Sequence, residues 1–234
     1  ANEIQQAIEE VSADLAGKEI ADLINLPVMN NPEKIAAMRL LMAVIPAAFQ
    51  TAPELVPIIT LKMVSLSINY GNCAVSAYGY CLYGLLLCGA FGNIDSGYQF
   101  GNLALKIVSK FDAKELQAKI FTVVNAHIKF WKEHLMNTLS PALEGYAMGL
   151  ETGDLEYAGY CAYIYPVHSF WSGKELGQTE KEVQTYCEAL TQIKQQVALT
   201  WNQIYWQTVL NLQGKSENVC YLIGSAFDEK EMLP

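Results

Sequence analysis

The sequence predicts an all-α fold, a tetratricopeptide-like α-α superhelix (solenoid) of about eleven antiparallel helices with irregular repeats. Three observations carry that expectation. Apolar residues recur at spacings of three and four along nearly the whole chain, and the punctuation between them is helix-cap chemistry. No run of alternating β-branched residues is bounded by Asn-Gly or Asp-Gly, so strand signals are missing. Short turns make each helix antiparallel to the next, and eleven helices exceed what one bundle core accommodates, which favours stacked pairs.

The elements follow in order. A first helix is expected over 3–16. Asn31-Pro32-Glu33 opens a second over 32–50, with Asn at the N-cap and Pro at the first helical position, and Thr51-Ala52-Pro53-Glu54 opens 53–70 in the same way. Helices over 73–91 and 95–111 come next. Asp112-x-x-Glu115 has capping-box spacing before 113–135, and Ser140-Pro141 opens 140–152. A helix over 154–172 precedes GKELGQT (173–179), the most loop-like stretch. Thr179-x-x-Glu182 repeats the capping-box spacing before 179–198, followed by 199–213 and a last helix over 217–226. Ends are expected at Gly71, Gly92, Gly153, Gly173 and Gly214, where a residue without Cβ closes a helix in the left-handed region. Small residues at Gly97, Gly101 and Ala104, and again at Ala158 and Ala162, mark faces where hairpin partners cross closely.

Composition bounds the function. The 234 residues are 52% hydrophobic and 17% charged, the reverse of a disordered chain, and they are expected to form one helical-repeat domain over 1–234. Against 24 Asp and Glu stand 15 Lys and Arg, with Arg39 the only arginine, a balance that argues against nucleic acid and against anionic membranes. Cys73, Cys81, Cys88, Cys161, Cys187 and Cys220 show no metal or disulfide-framework spacing and read as buried small residues of a reducing, cytoplasmic protein. ANEIQQAIEE has no secretory-signal pattern. From Met63 to Ile94 no residue is charged, so 73–92 is long enough to cross a bilayer. Its four glycines, its mid-segment tyrosines and its flanking Asn72 and Asn93 favour instead a helix buried by neighbouring helices, with no stable membrane insertion.

The motifs offer no chemistry. Gly214-Lys215-Ser216 resembles the end of a phosphate-binding loop, but Val209 stands where that loop needs Gly. His127 and His134 lie seven apart on an expected single helix, two turns rather than the one turn of a metal pair. No nucleophile constellation is present, so no catalytic, cofactor-binding or metal-ligating residue is assigned. What remains is an aromatic excess. Tyr157, Tyr160, His168 and Trp171, with Ile164, share one face of a helix, either as a seam between hairpins or as a groove that anchors a protein or peptide partner.

Longer segments carry a resemblance: NPEKIAAMRLLMAVIPAAF, PELVPIITLKMVSLSINYGN, GNIDSGYQFGNLALKIVSKFDAKELQAK, FWKEH, GYAMGLETGDLEYAGYCAY, LNLQGKSENVC and FDEKEMLP. Over residues 3–234 the chain resembles the helical arm of very large cyanobacterial signalling proteins. Those combine a serine/threonine kinase, a STAND-type ATPase, a tetratricopeptide-like arm, a GAF domain and a histidine kinase. The resemblance implies an internal piece of a larger chain whose partners are the ATPase, kinase and GAF domains of that chain. It implies no catalytic residue within these positions. The chain departs from the family at Tyr165-Pro166-Val167, where a Pro late in the expected helix bends or ends it. The alternative is an all-helical small-molecule binder or enzyme without a recognisable motif.

Overall fold

The computed structural model describes residues 2–232. Among these residues it is all-helical, with no strand and only two isolated bridges, Val28 with Asn72 and Ile223 with Asp228. The α-helices are α1 (Asn2–Leu15), α2 (Pro32–Thr51), α3 (Leu55–Tyr70), α4 (Ser76–Gly89), α5 (Ile94–Lys110), α6 (Lys114–His127), α7 (Leu139–Thr152), α8 (Leu155–Trp171), α9 (Leu176–Gln192), α10 (Gln196–Leu212) and the single turn α11 (Glu229–Met232). Three 3-10 segments, Ile20–Asn25, Lys129–Trp131 and Leu135–Thr138, join them. The chain divides into two compact units, one ending at Lys132 and the other beginning at Glu133.

The caps divide into those the sequence reads correctly and those it does not. Asn31 caps α2, its Oδ1 accepting from Glu33 N at 3.0 Å and Lys34 N at 3.2 Å. Gly92, Gly153, Gly173 and Gly214 all have positive φ, as does Gly71. The other N-caps move. Thr51 belongs to the last turn of α2, where its hydroxyl donates to Ala47 O, and α3 starts after Glu54. Asp112 lies at φ 47, a turn residue rather than a capping-box partner, and Ala113 precedes α6 without a side-chain cap. Glu175 caps α9 by accepting from Gly177 N and Gln178 N, both at 2.8 Å, which leaves Thr179 inside the helix. A carboxylate-to-backbone pairing four residues upstream of Thr179 outcompetes the predicted one. The break between the last two long helices falls at Lys194, φ 58, rather than at 198/199. The expected helix 113–135 ends at His127, so His127 and His134 do not share one helix. Pro166 does not end α8, which runs through it to Trp171.

In the first unit the charge-free stretch is interior rather than a span. A turn at Gly71-Asn72 interrupts it, and α4, fourteen residues long, packs against α3, α5 and α6 with Tyr78 and Tyr80 fully buried. Asn72, itself fully buried, organises the turn: its Nδ2 donates to Leu23 O at 2.7 Å and its Oδ1 accepts from Tyr80 OH at 2.9 Å. Its own backbone N–H donates to Pro27 O and its carbonyl accepts from Met29 N, each at 2.8 Å. Gly71 is forced by the same crossing, because a Cβ there would run into the Pro27 carbonyl. Hairpin α4/α5 closes on glycine, since a Cβ at Gly84 would lie 2.7 Å from Gly97 O and 3.3 Å from Gly101 N, whereas a Cβ at Gly101 would lie 3.0 Å from Ile128 Cγ2, the residue that follows α6.

The one described helix long and apolar enough to cross a membrane is α2, with a mean hydropathy of 1.2 and 17% of its window buried.

The second unit holds hairpins α7/α8 and α9/α10. A Cβ at Gly149 would lie 2.7 Å from Ala158 Cβ, so α7 and α8 meet at backbone distance. Ala162, Val183, Cys187, Leu190, Ala198 and Leu199 form the core between α8, α9 and α10. Residues 217–226 are not helical. The amide of Gln207 holds this segment down, its Oε1 accepting from Ala226 N at 3.1 Å and Phe227 N at 3.4 Å. Asn211 Nδ2 donates to Tyr221 O at 2.7 Å. Two buried amides on α10 thus supply the backbone partners that a helix would have supplied itself. Five cysteines are buried as expected, and Cys220, in this segment, is exposed.

Candidate functional site

Helices α8 and α10 flank α9, and each packs against it. Their rings pair in ascending order. Tyr160 stacks on Trp201 with centroids 5.8 Å apart at 21°, and Tyr163 lies 5.2 Å from Trp201 and 6.1 Å from Tyr205. Phe170 lies 6.1 Å from Tyr205 and 5.1 Å from Trp171, whose Nε1 donates to Tyr205 OH at 3.2 Å. Matching order means the two helices run parallel, as two strokes in one direction separated by a return stroke must. The α-helical spacing of 160, 163 and 170/171 on one side and 201/205 on the other therefore produces a continuous ladder of rings. Tyr157 joins it at one end, edge-on to Tyr160 at 5.4 Å.

The ladder is half in water. Trp171 is 64% exposed and Trp201 40%, while Tyr160, Tyr163, Phe170 and Tyr205 are partly covered. Helix α10 contains no charged residue, and its outward side continues the apolar face with Val197, 56% exposed, and Leu212, 60% exposed. Outward-facing aromatics and aliphatics on an uncharged helix are an exposed apolar patch of the kind that marks an interaction surface. Polar handles sit at the ring edges. Tyr160 OH donates to Glu156 Oε1 at 3.0 Å, and burial, with the Glu156 carboxylate adding to it, pushes the Tyr160 phenol up to about 12. Burial and the neighbouring Tyr205 push Tyr163 up to about 12 as well.

The four residues singled out from sequence do not all meet here. Tyr157, Tyr160 and Trp171 belong to the ladder, whereas His168 is buried and turned towards the 3-10 segment Leu135–Thr138. The Thr138 hydroxyl lies 2.6 Å from Leu135 O and 2.6 Å from His168 Nδ1, and so ties the ring to that segment. Trp201 and Tyr205, aromatics of a neighbouring helix, complete the ladder together with Tyr163 and Phe170, which lie outside the single-helix pattern. Their signal was the matching i, i+4 spacing of Trp201 and Tyr205 on an uncharged segment.

On the other side of α8 an open cleft of about 360 Å³ is lined by Tyr165, Gln178, Lys181, Glu182, Thr185 and Tyr186. Its carboxylate is already engaged: Lys174 Nζ lies 2.5 Å from Glu182 Oε1, which also accepts from Tyr165 OH at 3.3 Å. Among the described residues no three His, Cys, Asp or Glu side chains converge as metal ligands. Gly214 sits at φ 72 closing α10, and Lys215 pairs with Glu180 at 2.6 Å, the arrangement of a helix end. No family model, curated protein or solved structure matches the chain.

Proposed function

We propose that the chain is a non-catalytic interaction arm of a multidomain signalling protein, a tetratricopeptide-like superhelix that binds a protein partner or transmits a signal. The observation that supports it is the ring ladder: two parallel helices hold seven aromatics in register and leave two tryptophans open to solvent. Rigid amphipathic rings give large contact area at low entropic cost, which is why Trp and Tyr dominate binding anchors. On the resemblance to cyanobacterial kinase and STAND-type ATPase proteins, the partner is the ATPase, kinase or GAF domain of the same chain or a peptide presented to them, in the cytoplasm. Affinity capture from a cyanobacterial lysate tests this when the Trp171→Ala/Trp201→Ala double variant is run alongside. Capture of one of those domains, lost in the double variant, is expected. Identical capture by both proteins overturns the assignment to this face.

A further inference from the structure

The formal charge is not shared evenly. Of the 24 Asp and Glu residues 13 fall at 133–234, with only 5 of the 15 Lys and Arg, so the second unit carries −8 of the chain's −9. Two of its five cations are already paired with α9 carboxylates, Lys174 with Glu182 and Lys215 with Glu180. The uncharged α10 and its ring ladder therefore form an apolar face on a strongly acidic body. That combination selects its occupant. A second copy of the same face would bring −8 against −8, and an anionic lipid surface or nucleic acid would meet the same repulsion. A chain with Lys and Arg beside apolar anchors is drawn in and then satisfied, because a cation over a Trp or Tyr face is attracted by the negative face of the ring.

We propose that the α8/α10 face receives a cationic amphipathic helix of a partner protein. Its apolar side lies along Trp201, Tyr205 and Leu212, and its Lys or Arg side chains reach Glu156 and the open face of Trp171. The proposal rests on the docking reading above and adds the chemistry of the partner. Parallel helices with anchors one turn apart fit an inserted helix reading i, i+4 and i+7 better than an extended strand, for which neither helix offers an unpaired backbone edge.

The test uses the full 234-residue chain and two Trp-free synthetic peptides, an amphipathic helix with a Lys face opposite a Leu/Phe face and its Lys→Glu counterpart, read by the chain's tryptophan fluorescence and by calorimetry. The Lys peptide should bind at least about tenfold more tightly than the Glu peptide, and more weakly in high salt. Trp201→Ala should weaken it about tenfold, and so should Val197→Lys, which places a like charge on an exposed position without touching the core. Circular dichroism on each variant confirms the fold. Equal binding of both peptides, lost in Trp201→Ala, overturns the charge selection while leaving the docking face standing. Binding of the Lys peptide that neither variant alters shows diffuse attraction to the acidic unit and overturns the proposal together with the face. Failure of both peptides to bind the unaltered chain overturns the cationic partner, and lysate capture then judges the docking reading separately.

Discussion

At Gly101 and Ala158 the fold depends on what is missing from the side chain. Gly101 faces Ile128 and Ala158 faces Gly149 at distances that leave no room for a larger group. Gly101→Leu and Ala158→Leu are each expected to destabilise by about 1–3 kcal/mol or more through overpacking. Lys181→Leu, at an exposed position of α9, should shift stability by less than about 0.5 kcal/mol. Denaturant melts of the three variants decide it, and equal midpoints would mean that the small residues do not set the crossing distance. Asn72 is the polar counterpart. Its side chain joins the Ile20–Asn25 turn to α4 from a site with no access to water, so Asn72→Ala leaves Leu23 O and Tyr80 OH without those bonds. A loss of about 1–3 kcal/mol is expected in the same melts. An unchanged midpoint would place water at both groups.

Among the elements, the long helices and their glycine ends were legible because their signals are local: a period of 3.6 residues and a residue free to take positive φ. The capping box predicted at Thr179 failed because capping is a competition among nearby acceptors, and spacing alone does not say whether Glu175 reaches two backbone N–H groups first; the one predicted at Asp112 failed because that residue turns to φ 47 and α6 starts without a side-chain cap. The ring ladder was only half legible. A helical wheel shows Tyr157, Tyr160 and Trp171 on one face, but nothing in it places Trp201 opposite Tyr160 or turns His168 to Thr138. The segment 217–226 was misread for a related reason, since its backbone partners come from α10. Gln207→Ala removes the acceptor for Ala226 N and Phe227 N, and the segment is expected to lose amide-exchange protection while the helices keep theirs. Unchanged protection at 226 and 227 would show that Phe227, buried at 1% exposure, holds the segment by packing alone.

At the scale of the whole molecule the tyrosines link fold to pH. Tyr160, Tyr163 and Tyr186 in the second unit are pushed up to about 12 from an ordinary value of 10, first by burial, with neighbouring carboxylate and phenol groups adding to it. Burial raises Tyr80 in the first unit in the same direction. A phenol held above its unfolded value stays neutral in the folded chain where the unfolded chain would already ionise. Its contribution to stability is complete below pH 10 and is lost as pH climbs from 10 through 12. Because Tyr160 and Tyr163 belong to the ladder, their ionisation should disrupt the α8/α10 contact as it unfolds the chain. Far-ultraviolet circular dichroism and tyrosinate absorbance recorded along one alkaline titration should therefore fall and rise together over that window, with helix content constant up to pH 10. If every tyrosine titrates around 10 while the helix signal holds to 12, the rings of α8 are solvated in solution and the ladder is not a packed surface.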